Sequence, residues 1–138
     1  MVRSTGMTLT CQFSNPIANA PQPTTMNCTI ATSPNVAGTN EVFIPTTENW
    51  IITDMYIVNS SDQTTGNPMI EFIKDRGISM GVTTPLGTEL ISNNTRPRFL
   101  PAPIGYEAGS ILTMQAISTI AFGTALETAT FFVAVDIT

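Results

Sequence analysis

Met7-Thr8-Leu9-Thr10-Cys11-Gln12-Phe13 is the stretch that sets the fold class. Met7, Leu9, Cys11 and Phe13 alternate without a fault with Thr8, Thr10 and Gln12. A period of two places the first set on one face of a strand and the second on the other. The pattern recurs along the chain. Met26, Cys28 and Ile30 alternate with Asn27 and Thr29; Ile78, Met80 and Val82 with Ser79 and Gly81; Phe131, Val133, Val135 and Ile137 with Phe132, Ala134 and Asp136. Leu112, Met114 and Ala116 oppose Ile111, Thr113, Gln115 and Ile117. In the longest candidate, Trp50 to Asn59, Ile51, Thr53, Met55 and Ile57 fall on one face, and Trp50, Ile52, Asp54, Tyr56 and Val58 on the other. Both faces are largely apolar, which predicts cover on both sides.

Between these runs lie turn signals: Asn15-Pro16, Pro21-Gln22-Pro23, Ser60 to Pro68, Thr84-Pro85-Leu86-Gly87 and Ser92 to Thr95. Asp75-Arg76-Gly77, between Met69–Lys74 and Ile78–Thr83, reads as a hairpin with the glycine at a positive φ. Arg98 to Leu100 reads as a brief strand ended by Pro101 and Pro103. About one residue in six is threonine, whose β-branch favours strands. No window holds a capped helical stripe; Leu86–Ser92 and Ala121–Ala129 have room for a turn of helix each. Eight or nine strands in 138 residues make a single all-β domain, an antiparallel β-sandwich or barrel, over residues 1–138. Residues 1–40 carry one charge, Arg3, and would supply N-terminal strands or an arm; residues 41–138 would form the main body. The predicted core includes Leu9, Ile52, Phe72, Met80, Leu112, Phe131, Val133 and Val135.

Composition narrows the chemistry. There is no histidine, which removes Ser/His/Asp and Cys/His catalysis and the commonest metal ligand. Ten carboxylates leave a glycosidase pair such as Asp54 and Glu71 to consider, although Asp54 in an apolar strand reads first as a hydrogen-bonded or arginine-paired carboxylate. The sequence points to no enzyme, no cofactor and no metal. Five cations, Arg3, Lys74, Arg76, Arg96 and Arg98, in a chain of net charge −5 do not form a phosphate-binding surface, so nucleic acid and anionic membranes are not expected partners. No apolar run reaches the length of a membrane span, and no secretory signal is visible after Met1.

Cys11 and Cys28 both fall on inward faces. A disulfide, closing a loop of roughly 17 residues worth on the order of 3 kcal/mol, and a pair of reduced core thiols are both open. Acceptor sequons start at Asn27, Asn59 and Asn93, the last two in expected loops. Trp50, Tyr56 and Tyr106 could line a sugar platform, against the plainer reading of core aromatics.

Three segments carry a family likeness: Ile51-Ile52-Thr53-Asp54-Met55-Tyr56-Ile57-Val58, Ile70-Glu71-Phe72-Ile73-Lys74-Asp75, and Tyr106-Glu107-Ala108-Gly109-Ser110-Ile111-Leu112. From about Glu41 onward the chain resembles the single jelly-roll capsid, cement and decoration proteins of viruses. The resemblance implies jelly-roll topology and a structural virion protein, either a shell subunit or one bound on the shell, assembled in the host cytoplasm. It implies copies of itself, as a trimer or other cyclic oligomer, and other capsid proteins as partners, and it carries no catalytic residues. Sparse charge agrees, since it lowers the desolvation cost of packing faces. Ile51, Met55 and Ile57 are the expected interface, being apolar beyond what one core requires. A carbohydrate- or receptor-binding β-sandwich, such as the head of a fibre, is the alternative.

Overall fold

The computed structural model describes residues 5–15, 24–33, 35–60, 69–82, 98–118 and 127–138. The strands are β1 (Thr5–Asn15), β2 (Thr24–Asn27), β3 (Thr29–Ala31), β4 (Val42–Phe43), β5 (Trp50–Ser60), β6 (Met69–Lys74), β7 (Ile78–Val82), β8 (Arg98–Tyr106), β9 (Ile111–Ser118) and β10 (Glu127–Ile137). They form two antiparallel sheets, β3-β1-β10-β5-β8 and β2-β9-β6-β7, with β4 pairing β9. The protein is an all-β sandwich, as the period-two runs predict. The two expected helical turns fall outside the described residues, apart from positions 127–129, which are strand.

Apolar residues of alternate parity meet between the sheets. Leu9 and Cys11 of β1 lie beside Val133 and Phe131 of β10, in a continuous register from Thr5↔Ile137 to Asn15↔Glu127, and Phe13 and Val135 extend this buried face. The other sheet contributes Ile70, Phe72, Leu112, Met114 and Ala116. The Phe13 and Phe131 rings sit 6.2 Å apart and tilted by 53°, within the range that aromatic pairs favour. Of the eight predicted core residues, seven are buried and Met80 packs against them partly buried.

Three local features depart from the sequence reading. The Met26–Ala31 run is split: β2 belongs to one sheet and β3 to the other. Cys28 is the crossing point, its N–H donating to the Met114 carbonyl at 3.0 Å. β8 continues through both prolines to Tyr106. It does so because Leu100 to Pro103 loop out of the ladder as a bulge opposite Thr53 of β5, where a missing N–H breaks no pairing. In the β6–β7 hairpin, Asp75 (φ 51°) and Arg76 (φ 67°) take the positive-φ positions, not Gly77. Gly77 N–H closes the turn onto the Lys74 carbonyl at 3.3 Å. Asp75 is held in this unfavourable backbone by a two-way bond with Ile111: its N–H donates to the Ile111 carbonyl and its carboxylate accepts from the Ile111 N–H, both at 3.0 Å.

The two ends of the sandwich differ. The hairpin tip, the segment before Trp50, the Glu107–Ser110 turn and the ends of β1 and β10 nearest the termini share one end. Gly109, at φ 79°, lets that turn double back so that its N–H reaches the Ile44 carbonyl at 3.0 Å. Thr138 and Asn49 exchange two backbone bonds of 2.9 Å there. Asn15, Ser60, Met69, Val82, Arg98, Ser118 and Glu127 bound their strands at the opposite end.

Candidate functional site

Strand register decides which candidate residues can meet. Asp54 sits opposite Ala134, on the outer face of the five-stranded sheet. Glu71 lies between inward-facing Ile70 and Phe72, on the outer face of the other sheet. The two carboxylates therefore point away from the core in opposite directions and cannot flank one bond. Asp54 Oδ2 accepts from the Thr53 hydroxyl at 3.2 Å, while Oδ1 is buried without a hydrogen-bond partner among the described residues.

The aromatic platform does not form from Trp50 and Tyr106. They are paired across β5 and β8 and are 4% and 1% exposed. Trp50 Nε1 donates to Glu48 Oε1 at 3.0 Å, and the Tyr106 hydroxyl donates to the Ile73 carbonyl at 3.1 Å. Their polar tips are used in holding the end of the sandwich together, and burial pushes the Tyr106 phenol up. Above them lies an open cleft of about 380 Å³, walled by Asn49, Ile51, Lys74, Gly105 and Glu107. The side chain of Tyr56 lies outside the described residues.

Both cysteines are free, fully buried thiols. The register explains the absence of a bridge. Cys11 pairs with Ile30, so Cys28 is its diagonal neighbour, and diagonal positions lie about 7–8 Å apart, beyond comfortable disulfide reach. Cys28 is further drawn toward the other sheet by its bond to Met114, whose sulfur accepts from Cys11 Sγ at 3.8 Å. Burial pushes the Cys11 thiol well up, helped by the charge Cys28 would carry. Burial likewise takes Cys28 to about 12, against the lowering effect of its backbone bond to Ala116. Both are protonated near neutrality and do not present a nucleophile.

The expected interface residues separate. Ile51 is exposed on the outer face, 36% accessible. Met55 is fully buried, which corrects the sequence reading. Thr53 has no partner on β10, since Ala134 pairs with Asp54 and Val135 with Ile52. That bulge shifts the alternation by one, so Met55 opposes Val133 on the inner face. The side chain of Ile57 lies outside the described residues.

Both ion pairs among the described residues lie at one end. Lys74 pairs with Glu107, and Arg76 with Glu41 at 2.8 Å. The hydrogen bond with Glu107 raises the Lys74 ammonium above its ordinary range. Neither partner is signalled by local pattern, since each comes from more than thirty residues away in the chain. Arg3 and Arg96, and the side chain of Arg98, lie outside the described residues. Of the sequons, Asn27 is exposed at the end of β2 and accepts from Gln115 Nε2 at 3.2 Å. Asn59 is within β5 and not in a loop, and Asn93 lies outside the described residues. Among the described residues, no group of three His, Cys, Asp or Glu side chains converges to hold a metal, and no helix is long and apolar enough to cross a membrane. No family model and no curated protein matches the chain.

Proposed function

We propose that this chain is a structural virion protein, a shell subunit or a protein bound on the shell, that works by packing against copies of itself and other capsid proteins. The observation that carries the reading is the nesting of the strands. With short β3 and β4 set aside, eight strands remain. The first pairs with the eighth (β1, β10), the second with the seventh (β2, β9), the third with the sixth (β5, β8) and the fourth with the fifth (β6, β7). A long hairpin rolled into two sheets has this nested pairing, which supports the jelly-roll reading and through it the likeness to capsid proteins.

A fold alone does not give a function, so the surface must agree with it. It does. The described cations stand in ion pairs at one end, and among the described residues the outer strand faces carry few charges, which favours a low desolvation cost of packing. The test is copy number in the native source. Quantitative mass spectrometry of purified particles should find the chain in fixed stoichiometry with the shell. A chain absent from particles that instead captures glycans on an array would sink the proposal in favour of a receptor-binding head.

A further inference from the structure

We propose that the outer face of the β2-β9-β6-β7 sheet, centred on Phe43, Ile73 and Ile111, is where one copy of this chain packs on a second copy. The inference rests on the self-assembly reading above and names the surface that serves it. Phe43 follows buried Val42 on β4 and opposes Ile111 of β9, so it points outward and is 67% exposed. Ile73 alternates with buried Phe72 and joins the same face, and Met69 opposite Ile117 extends it toward the other end. Such a large aromatic, standing out from a half-buried apolar field, has the character of an interface anchor.

Charge selects the second copy as occupant. Two chains of net charge −5 repel one another wherever their carboxylates face. Across this face the strand residues contribute one charge among the described residues, Glu71, and it is engaged by the Ser79 hydroxyl at 3.1 Å. The Arg76–Glu41 pair stands at its border, as a polar rim would. The outer face of the other sheet is a poorer choice: it presents Thr8, Thr10 and Gln12 and the two acids Asp54 and Asp136, with no described cation to balance them.

Size sets the strength. Four strand widths by the length of Ile111 to Ile117 give about 19 by 23 Å, on the order of 440 Å² before side-chain relief, against about 800 Å² per partner in a standard interface. One such contact makes a weak, reversible pair, which many copies in a shell would reinforce.

Sedimentation equilibrium of the purified chain, from micromolar to millimolar concentration, tests this. The expected result is reversible dimer formation that persists in about 1 M salt and weakens at least about tenfold in Phe43→Lys. Thr8→Lys, on the opposite face, should leave it unchanged. Circular dichroism melting of each variant checks that the fold is kept, and Met69→Lys supplies a second lesion on the face if Phe43→Lys melts early. Wild-type association that Phe43→Lys and Met69→Lys leave intact overturns the assignment of this face while self-assembly stands. A chain monomeric at every concentration overturns the assignment too, and counts against self-assembly itself.

Discussion

Thr53 has no partner on β10, and this one extra residue decides where Met55 points. Read as a strict alternation, Met55 belongs with Ile51 on the outside. In the structure it is fully buried against β10. A bulge leaves no mark in a run where both parities are apolar, because either register satisfies the pattern. Where one parity is polar, as in Met7 to Phe13, the face is legible outright. Met55→Ala should therefore cost about 2–5 kcal/mol, and Ile51→Ala less than about 1 kcal/mol, in urea unfolding. Equal costs, or the reverse order, would mean that Thr53 is not the bulged residue.

The β6–β7 hairpin shows what an element's local preferences leave unsaid. Asp75-Arg76-Gly77 marks the turn, but positive φ falls at Asp75 and Arg76 and not at the glycine that the pattern favours. The deciding contacts, Asp75 with Ile111 and Arg76 with Glu41, come from distant strands. Asn-Gly suits two consecutive positive-φ positions, and an asparagine oxygen can still accept from the Ile111 N–H. The double change Asp75→Asn with Arg76→Gly should stabilise the fold by about 0.5–1 kcal/mol, because the strain removed exceeds what an exposed ion pair contributes. Asp75→Ala keeps the strain and loses the acceptor, for a loss of about 1–2 kcal/mol. A denaturation midpoint that moves the same way in both variants would contradict the turn assignment. β8 carries a similar lesson. Proline at 101 and 103 reads as a strand end, and only the partner strand reveals that the chain bulges and resumes pairing at Ile104. The class of the fold, most strands and seven of the eight named core residues were thus readable from alternation. The proposed packing surface was not, because Phe43 gains meaning only when Ile111 and Ile73 are brought beside it.

The molecule as a whole should respond little to pH near neutrality and more in alkali. No histidine is present to titrate between about pH 5.5 and 8, so melting temperature should stay level there. Burial makes Cys28 bind its proton more tightly in the folded protein, at about 12, than an ordinary thiol does. Its contribution is complete below about pH 9 and is lost as pH rises toward 12, with a slope of up to about 1.4 kcal/mol per unit. Cys11, Tyr106 and Lys74 are shifted in the same direction and add to the fall. In Cys28→Ala the alkaline slope should be shallower than in the wild type; an unchanged slope would show that the thiol is not buried in the folded state. The pairing of Thr5 with Ile137 also has a consequence in time. β10 lies between β1 and β5, so an inner strand of this sheet is separated from its neighbour β1 by nearly the full sequence span of the fold. During synthesis β1 has no β10 to join, and that edge of β1 stays open to other contacts until β10 has emerged. Pairing across such a sequence span is slow, on the order of milliseconds to seconds. This sheet therefore cannot close until β10 has been made, leaving an interval in which a chaperone, or a neighbouring nascent chain, competes for β1.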